Sequence, residues 1–320
     1  MYDVVALGEL LIDFTCQALD ADGYPTMAAH PGGAPANYLA ALSAYGAKTA
    51  LIGKVGRDAF GKMLLNTLSS CGISTEGMAV SDEAFTTLAF VTLDARGDRE
   101  FSFARKPGAD TLLRFDEVKS DIIDASRVLH FGTLSMTDEP ARTATRKAVE
   151  YAAAHNKLIS FDPNLRKPLW KSEEAAREEM LWGLAHADVV KISDEEVDFL
   201  FSLAPSEGAR HIADAFGVKL VYVTCGAAGC YYKNPLAEGF VESLPGVNAV
   251  DTTGAGDIFG GSAMYALLKS GKAPDALSAA ELQGIVRFAS AAAGLSTTKP
   301  GGISSVPSLD AVNEAVKTTY

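Results

Sequence analysis

Short, mostly apolar runs recur along the chain, each closed by glycine, polar or charged residues. Val4, Val5, Ala6 and Leu7 end at Gly8, and similar runs cover 49–52, 128–131, 158–161, 189–192 and 220–224. Four or five such residues, without strict alternation, predict strands buried on both faces. Between them the spacing changes to that of helices. Residues 37–45 carry Leu39, Ala40 and Leu42, and 60–68 carry Met63, Leu64 and Leu68. Residues 141–154 are alanine-rich, 173–187 form a further helical pattern, and 258–268 are an apolar one. Strands alternating with helices predict an α/β fold with a mostly parallel central sheet covered by helices on both faces. Ligands in such sheets sit beyond the carboxyl ends of the strands.

Two regions break the alternation. Residues 86–93 and 99–103 are extended runs around Asp94-Ala95-Arg96-Gly97-Asp98, which predicts a hairpin. Residues 14–30 read as irregular, with turn residues at Asp22, Gly23 and Pro25. Taken by themselves, these pieces fit an antiparallel edge extension of the main sheet. No linker, internal repeat or low-complexity tract is visible. The expectation is therefore one domain over 1–320 with insertions near 12–32 and 84–107.

Charge narrows the partners. With 28 Lys+Arg against 40 Asp+Glu, the net charge is −12, which repels nucleic acid and anionic membranes. An anionic cosubstrate would need local devices: backbone amides, a few basic residues and a divalent metal. The apolar stretches are too short and too interrupted to span a bilayer. Cys16, Cys71, Cys225 and Cys230 match no zinc spacing and read as reduced thiols. With no signal-peptide pattern at the N-terminus, a cytoplasmic enzyme is expected.

The strongest chemical signal is Asp251-Thr252-Thr253-Gly254-Ala255-Gly256-Asp257, running straight into the helical 258–268 segment. A helix N-terminus presents unpaired N–H groups and the positive end of the helix dipole, and so attracts anions. A carboxylate beside an anion site does not help hold phosphate, but it can take a proton from an attacking hydroxyl. The plainer reading is a glycine loop before an Asp-capped helix. Neither G-x-x-x-x-G-K-[ST] nor a G-x-G-x-x-G after the first strand is present, which excludes a P-loop mechanism and disfavours a dinucleotide oxidoreductase. A binding regulator without catalysis is disfavoured by Asp257 and the turn before it. His30, His130, His155, His186 and His211 share no metal-ligand spacing.

Other segments fall in a definite order around this one. They are Gly8-Glu9-Leu10-Leu11-Ile12-Asp13-Phe14, Pro31-Gly32-Gly33-Ala34-Pro35-Ala36-Asn37 and Gly53-Lys54-Val55-Gly56-Arg57-Asp58 with Gly61. Phe103-Ala104-Arg105-Lys106-Pro107-Gly108-Ala109-Asp110, Asp162-Pro163-Asn164-Leu165-Arg166, Lys191-Ile192-Ser193-Asp194-Glu195-Glu196 and Thr224-Cys225-Gly226 follow. Together with the segment ending at Asp257, they resemble the ribokinase-like (PfkB) family of carbohydrate kinases, and within it the fructokinases, over almost the whole chain.

The resemblance implies an ATP-dependent kinase acting on the primary hydroxyl of a small sugar, fructose first and 2-keto-3-deoxygluconate as the alternative. It implies that Asp257 is the catalytic base and that Gly254, Ala255 and Gly256 form an anion hole. Asp13, Gly32, Gly33 and Asn37 match sugar-binding positions; by itself, Asp13 reads equally as a helix cap or surface carboxylate. Arg105 and Arg166 match functional positions of both candidate kinases, and Phe103 falls in the implied β-sheet lid. The stripe Phe85, Phe90, Phe101 and Phe103 reads as core or as cover for the sugar or a partner's lid. A homodimer through the lids is expected. Thr224 and Gly226 match the segment along ATP, with Lys191, Ser193 and Glu196 near the phosphates and Mg²⁺. Ser193 stands where the family often carries Asn, which leaves Glu196 to organise metal-bound water. A monovalent cation, K⁺, is implied at Asp251, Thr253, Ser296, Gly301 and Ser305.

Overall fold

The computed structural model describes residues 1–93 and 99–320, so the expected 94–98 turn lies outside the described residues. The first third of the chain forms β1 (Tyr2–Leu7), β2 (Leu11–Leu19), β3 (Pro25–Gly32), α1 (Ala34–Ala44), β4 (Thr49–Gly56), α2 (Ala59–Ser70), β5 (Ile73–Ser74), β6 (Met78–Ser81), β7 (Leu88–Leu93) and β8 (Arg99–Ala104). The middle contributes α3 (Ser120–Asp124), β9 (Ser126–Gly132), α4 (Ala141–Ala154), β10 (Leu158–Asp162), α5 (Glu173–His186), β11 (Val189–Ser193), α6 (Asp194–Phe201) and α7 (Pro205–Phe216). The last part is β12 (Leu220–Thr224), β13 (Gly229–Lys233), β14 (Glu238–Glu242), α8 (Ala255–Ser270), α9 (Ala279–Ser296) and α10 (Leu309–Thr319).

The central sheet runs in the order β14-β13-β12-β11-β10-β9-β1-β4-β5, with β6 also paired to β4. Every pair from β12 across to β5 is parallel; β13 and β14 are antiparallel at one edge. Burial on both faces explains the unbroken apolar runs. In β1, Val4 and Ala6 enter one core with α1, α8 and α9, while Val5 and Leu7 enter the other with α4, α5 and α7. Each such fully buried Val or Leu contributes about 1.5–3 kcal/mol.

Helix α1 starts at Ala34, three residues before the expected pattern. Pro35 suits the first turn, where its missing N–H costs no intrahelical bond. The helix lies against α8, and a Cβ on Gly261 of α8 would stand 2.2 Å from the Tyr38 carbonyl oxygen. That close approach is open only to glycine, and it brings the Asn37 turn beside the start of α8.

The inserted pieces form a separate four-stranded sheet, β3-β2-β7-β8, and not an extension of the main one. The edge of the central sheet is taken instead by the β13–β14 hairpin, which the sequence pattern did not reveal. The 14–30 segment, expected to be irregular, is two regular strands, β2 and β3, paired antiparallel. Their turn is closed by Asp20, whose Oδ1 accepts from the Asp22 and Tyr24 amides. The far end of β2 is exposed, so no burial pattern marks it as a strand. β2 pairs with β7 in parallel. Phe14 stacks on Phe90 at 5.3 Å and meets Phe60 of α2 edge-on at 5.6 Å, tying this sheet to the main body. Phe85 is exposed and Phe103 half-buried, whereas the Phe101 side chain lies outside the described residues. Among the described residues no helix is long and apolar enough to cross a membrane, and all four cysteines are free.

Candidate active site

A cleft of about 600 Å³ opens between the small sheet and the carboxyl ends of the central strands, lined by Asp13, Asn37, Phe103, Arg166, Lys191 and Asp257 among others. At its floor α8 begins. Gly254 caps it in a left-handed conformation (φ 76°), and the intrahelical ladder starts with Ile258 N–H donating to the Gly254 carbonyl. The Gly256 and Asp257 amides precede that ladder at the positive end of the helix. Ala255 N–H, expected in the anion hole, instead donates to Thr252 O at 3.2 Å.

Asp257 sits inside the first turn, and its side chain makes no cap. The Asp-capped reading is therefore incorrect. Its Oδ2 accepts from Asn37 Nδ2 at 2.9 Å and its Oδ1 from Asn164 Nδ2 at 3.3 Å. Both bonds aim the carboxylate, and the nearly complete burial of Asp257 pushes its pKa up, against the opposing pull of Asn37, Lys191 and Arg166. A carboxylate more basic than usual, in a cleft, suits proton removal from an alcohol.

Lys191 stands beside this helix start: a Cβ on Gly256 would lie 3.0 Å from its Nζ. The ammonium pairs with Asp162 Oδ2 at 3.0 Å. Burial works against its charge, but Asp162, Glu196 and Asp257 together keep it protonated. Asp162, also buried, is itself pushed up to about 7, with Lys191 opposing. Glu196 receives the Leu165 amide on Oε1 at 2.7 Å and the Ser193 amide on Oε2 at 2.8 Å. Ser193 Oγ in turn accepts from Glu196 N–H, a reciprocal cap on α6. Serine at this position thus has a clear task, which is to begin the helix.

Asp13 lies in mid-strand on β2, neither a helix cap nor a free surface carboxylate. A Cβ at Gly32 would fall 2.1 Å from Asp13 Oδ2, so only glycine leaves the carboxylate its place in the cleft. Burial raises its pKa to about 6, with Arg166 lowering it and Asp257 and Asp251 adding to the rise. Gly33 lines the same wall. Arg166 is exposed at the cleft margin, donating to its neighbour's carbonyl, Leu165 O, at 3.1 Å.

Arg105 is placed elsewhere. Its guanidinium is buried, donating to Asp110 Oδ2 at 2.6 and 2.9 Å, to Thr137 Oγ1 at 2.8 Å and to Leu134 O at 2.7 Å. Four of its five N–H groups are thereby used inside the protein.

Thr224 and Gly226 form the border with a second cavity of about 530 Å³, whose lining is mostly apolar and includes Val247, Ala249, Phe259 and Ala293. Near the same border, Asp251 Oδ1 accepts from Thr253 N and Oγ1, and its Oδ2 from Gly301 N at 2.9 Å. The Ser296 and Ser305 hydroxyls donate to Ala293 O and Gly302 O.

Three site residues escaped the sequence reading. Asn164 adopts φ 47°, a left-handed conformation that Asn tolerates, and reaches Asp257. Asp162 holds Lys191. Glu9, fully buried with its pKa raised to about 7 by burial, accepts from the Ala34 amide at 2.9 Å and so anchors the start of α1. All three lie inside the quoted segments. A polar residue just past a buried strand was the available signal. His130 is buried on Ser160 Oγ at 3.0 Å, and among the described residues no three His, Cys, Asp or Glu side chains could hold a metal by themselves.

Comparisons with known proteins agree with this fold. A family model described as "pfkB family carbohydrate kinase" matches residues 1–309. "Probable fructokinase-4" of Arabidopsis thaliana is 41% identical over 318 residues, covering 98% of this chain and 96% of that protein. A solved structure of fructokinase with bound ATP from Xylella fastidiosa superposes with a TM-score of 0.91 at 30% identity, covering 99% of both chains. Fructokinase from Vibrio cholerae O395, solved in fructose-, ADP- and calcium-bound form, superposes with a TM-score of 0.85 at 29% identity over 98% of this chain and 99% of that one. The chain belongs to the pfkB family of carbohydrate kinases.

Proposed function

We propose that this carbohydrate kinase is a fructokinase, transferring the γ-phosphoryl group of ATP to the primary hydroxyl of fructose. One observation carries the reading: the buried Asp257 carboxylate is aimed by Asn37 and Asn164 within a helix start whose leading amides and Lys191 share its cleft. Asp257 takes the proton from the sugar hydroxyl as its oxygen attacks phosphorus, and ADP leaves. The Gly256 and Asp257 amides and the Lys191 ammonium meet the negative charge on the transferring group. Asp13 accepts from sugar hydroxyls across the cleft, and closure of the small sheet as a lid excludes water.

The donor set fits ATP and a divalent ion. The apolar cavity beyond Thr224 and Gly226 suits a flat base, and its border with the cleft includes Gly256, where phosphates would approach α8. Mg²⁺ favours phosphate oxygens and water over a protein cage, and Glu196 is among the carboxylates lining the cleft. Bound to ATP, the ion neutralises phosphate charge. A K⁺ site between the 251–254 and 300–305 loops would draw on backbone carbonyls, and replacing K⁺ by a large organic cation during turnover tests it.

Fructose is favoured over 2-keto-3-deoxygluconate by Arg105. An arginine kept for a substrate carboxylate would stand unpaired beside a neutral sugar, at a cost of several kcal/mol. Here Asp110 already pairs it. We also propose a dimer through the small sheets, supported by exposed Leu19, Tyr24 and Phe85, and a cytoplasmic location. A monomeric mass by light scattering at micromolar concentration would refute the dimer. The test of function is ADP release across a panel of sugars and sugar acids. Fructose is expected to give the highest kcat/KM; a higher value for 2-keto-3-deoxygluconate would overturn the fructose assignment.

A further inference from the structure

Lys191, which lines the cleft, joins Asp162 in walling a third, much smaller cavity between the central sheet, α1 and α8. It measures about 10 Å³, which is room for one water molecule. Part of the lining is apolar, from Val189, Met264 and Leu267, and the rest carries hydrogen-bonding groups. His130 Nδ1 and the Tyr38 hydroxyl both pair with Ser160 Oγ, at 3.0 and 3.3 Å, and the Tyr38 and His130 rings stack at 3.6 Å. Burial, helped by Lys191, drives the His130 pKa down to about 3, so this wall stays neutral.

Tyr222 completes the lining from β12. Only 2% of its surface is exposed, and its hydroxyl has no hydrogen-bond partner among the described residues. A buried hydroxyl left in that state is costly and uncommon. The groups facing it across the cavity include a carboxylate and an ammonium, which can supply the partners a buried water requires.

We propose that one water occupies this cavity and bridges the Tyr222 hydroxyl to the Asp162–Lys191 pair, making Tyr222 a positioning residue for phosphoryl transfer. The tyrosine O–H donates to the water, and the water donates to the Asp162 carboxylate. Asp162 has its other contacts fixed: Oδ1 accepts the Asn164 amide at 3.2 Å and Oδ2 the Lys191 ammonium at 3.0 Å. The water braces Asp162 from behind and thereby holds Lys191 Nζ beside Gly256. A small rotation of Asp162 would carry the ammonium away from the transferring phosphoryl group, where its charge matters most in the transition state. This inference rests on the kinase reading; the occupancy of the cavity does not.

Tyr222→Phe removes only the hydroxyl. The wild-type crystal structure is expected to show an ordered water within hydrogen-bond distance of Tyr222 Oη and of Asp162 or Lys191. The variant is expected to lose or displace that water and to melt about 1–3 °C lower. Its kcat should fall by about tenfold while the sugar KM stays within about twofold, because the effect is on the transition state and not on sugar binding. A dry cavity predicts the opposite: relief of an unpaired hydroxyl, a higher melting temperature and unchanged kcat, which would overturn the proposal. An ordered water with unchanged kcat would overturn the positioning role. Should the wild type phosphorylate no sugar, the kinase reading and the positioning role fall together, while diffraction and melting still decide whether the cavity is wet.

Discussion

Replacing Arg105 by Met separates a structural arginine from one that grips substrate. The guanidinium is buried with Asp110, and among the described residues the one other side chain donating to Asp110 is Thr87, through Oγ1 at 2.5 Å. Methionine keeps most of the volume but leaves that carboxylate buried without its cation, a change that costs about 3–5 kcal/mol. For 320 residues, an unfolding entropy of about 2.1 cal/mol/K per residue gives about 0.7 kcal/mol per degree, so the melting temperature should fall by about 4–7 °C. Adding Asp110→Asn should recover part of that loss, since the stranded charge disappears. Because four N–H groups of Arg105 are already committed inside the protein, kcat/KM for fructose measured well below the transition should stay within about tenfold of wild type. Thermal melts of both variants and a coupled ADP assay make the comparison. A variant that melts with the wild type but loses 10³-fold or more in kcat/KM would refute the structural assignment and return Arg105 to the substrate.

Asp13 gives a pH signature. Its pKa is about 6 in the fold against 3.8 for a free aspartate, so the folded state holds the proton more tightly. Its stabilising contribution is fully present below about pH 4 and is lost as the pH rises through about 6. Asp13→Asn should therefore leave stability near pH 4 little changed, raise it at pH 8 by up to about 3 kcal/mol, and cut kcat/KM for the sugar by about 10–100-fold through the lost charge-assisted bonds; melts at the two pH values and steady-state kinetics check both halves. Gly32→Ala would place a methyl 2.1 Å from Asp13 Oδ2, and the carboxylate must move. The sugar KM should rise while the ATP KM holds, and an unchanged sugar KM would contradict the placement of Asp13 over Gly32.

What was legible in the sequence follows from burial. The parallel strands announce themselves because both faces of β1, β9 and β12 are covered, leaving little room for polar residues. Strand β2 does not, because its Gln17, Ala18 and Leu19 end projects into solvent and no face imposes a period. The β13–β14 edge hairpin was hidden for a similar reason, with Glu238, Phe240 and Glu242 exposed in β14. At the site, Asp257 could be singled out from its place after Gly-Ala-Gly, but its aim depends on Asn37, 220 residues away. Only the contact of α1 with α8 brings the two together. The fate of Arg105 was equally non-local, since Thr137 and Leu134 complete its cage. Glu9 and Asp162 looked like ordinary residues past a strand, and their raised pKa values come from burial that no local pattern encodes.

The central claim is that Asp257 removes the proton from the attacking sugar hydroxyl. It is tested most directly by the turnover of Asp257→Ala, measured as ADP release with saturating fructose and ATP on protein shown to be folded, alongside ATP binding by calorimetry. A lost general base should lower kcat by about 10²–10⁴-fold with ATP affinity little changed. Near-normal turnover by the folded variant would contradict the account.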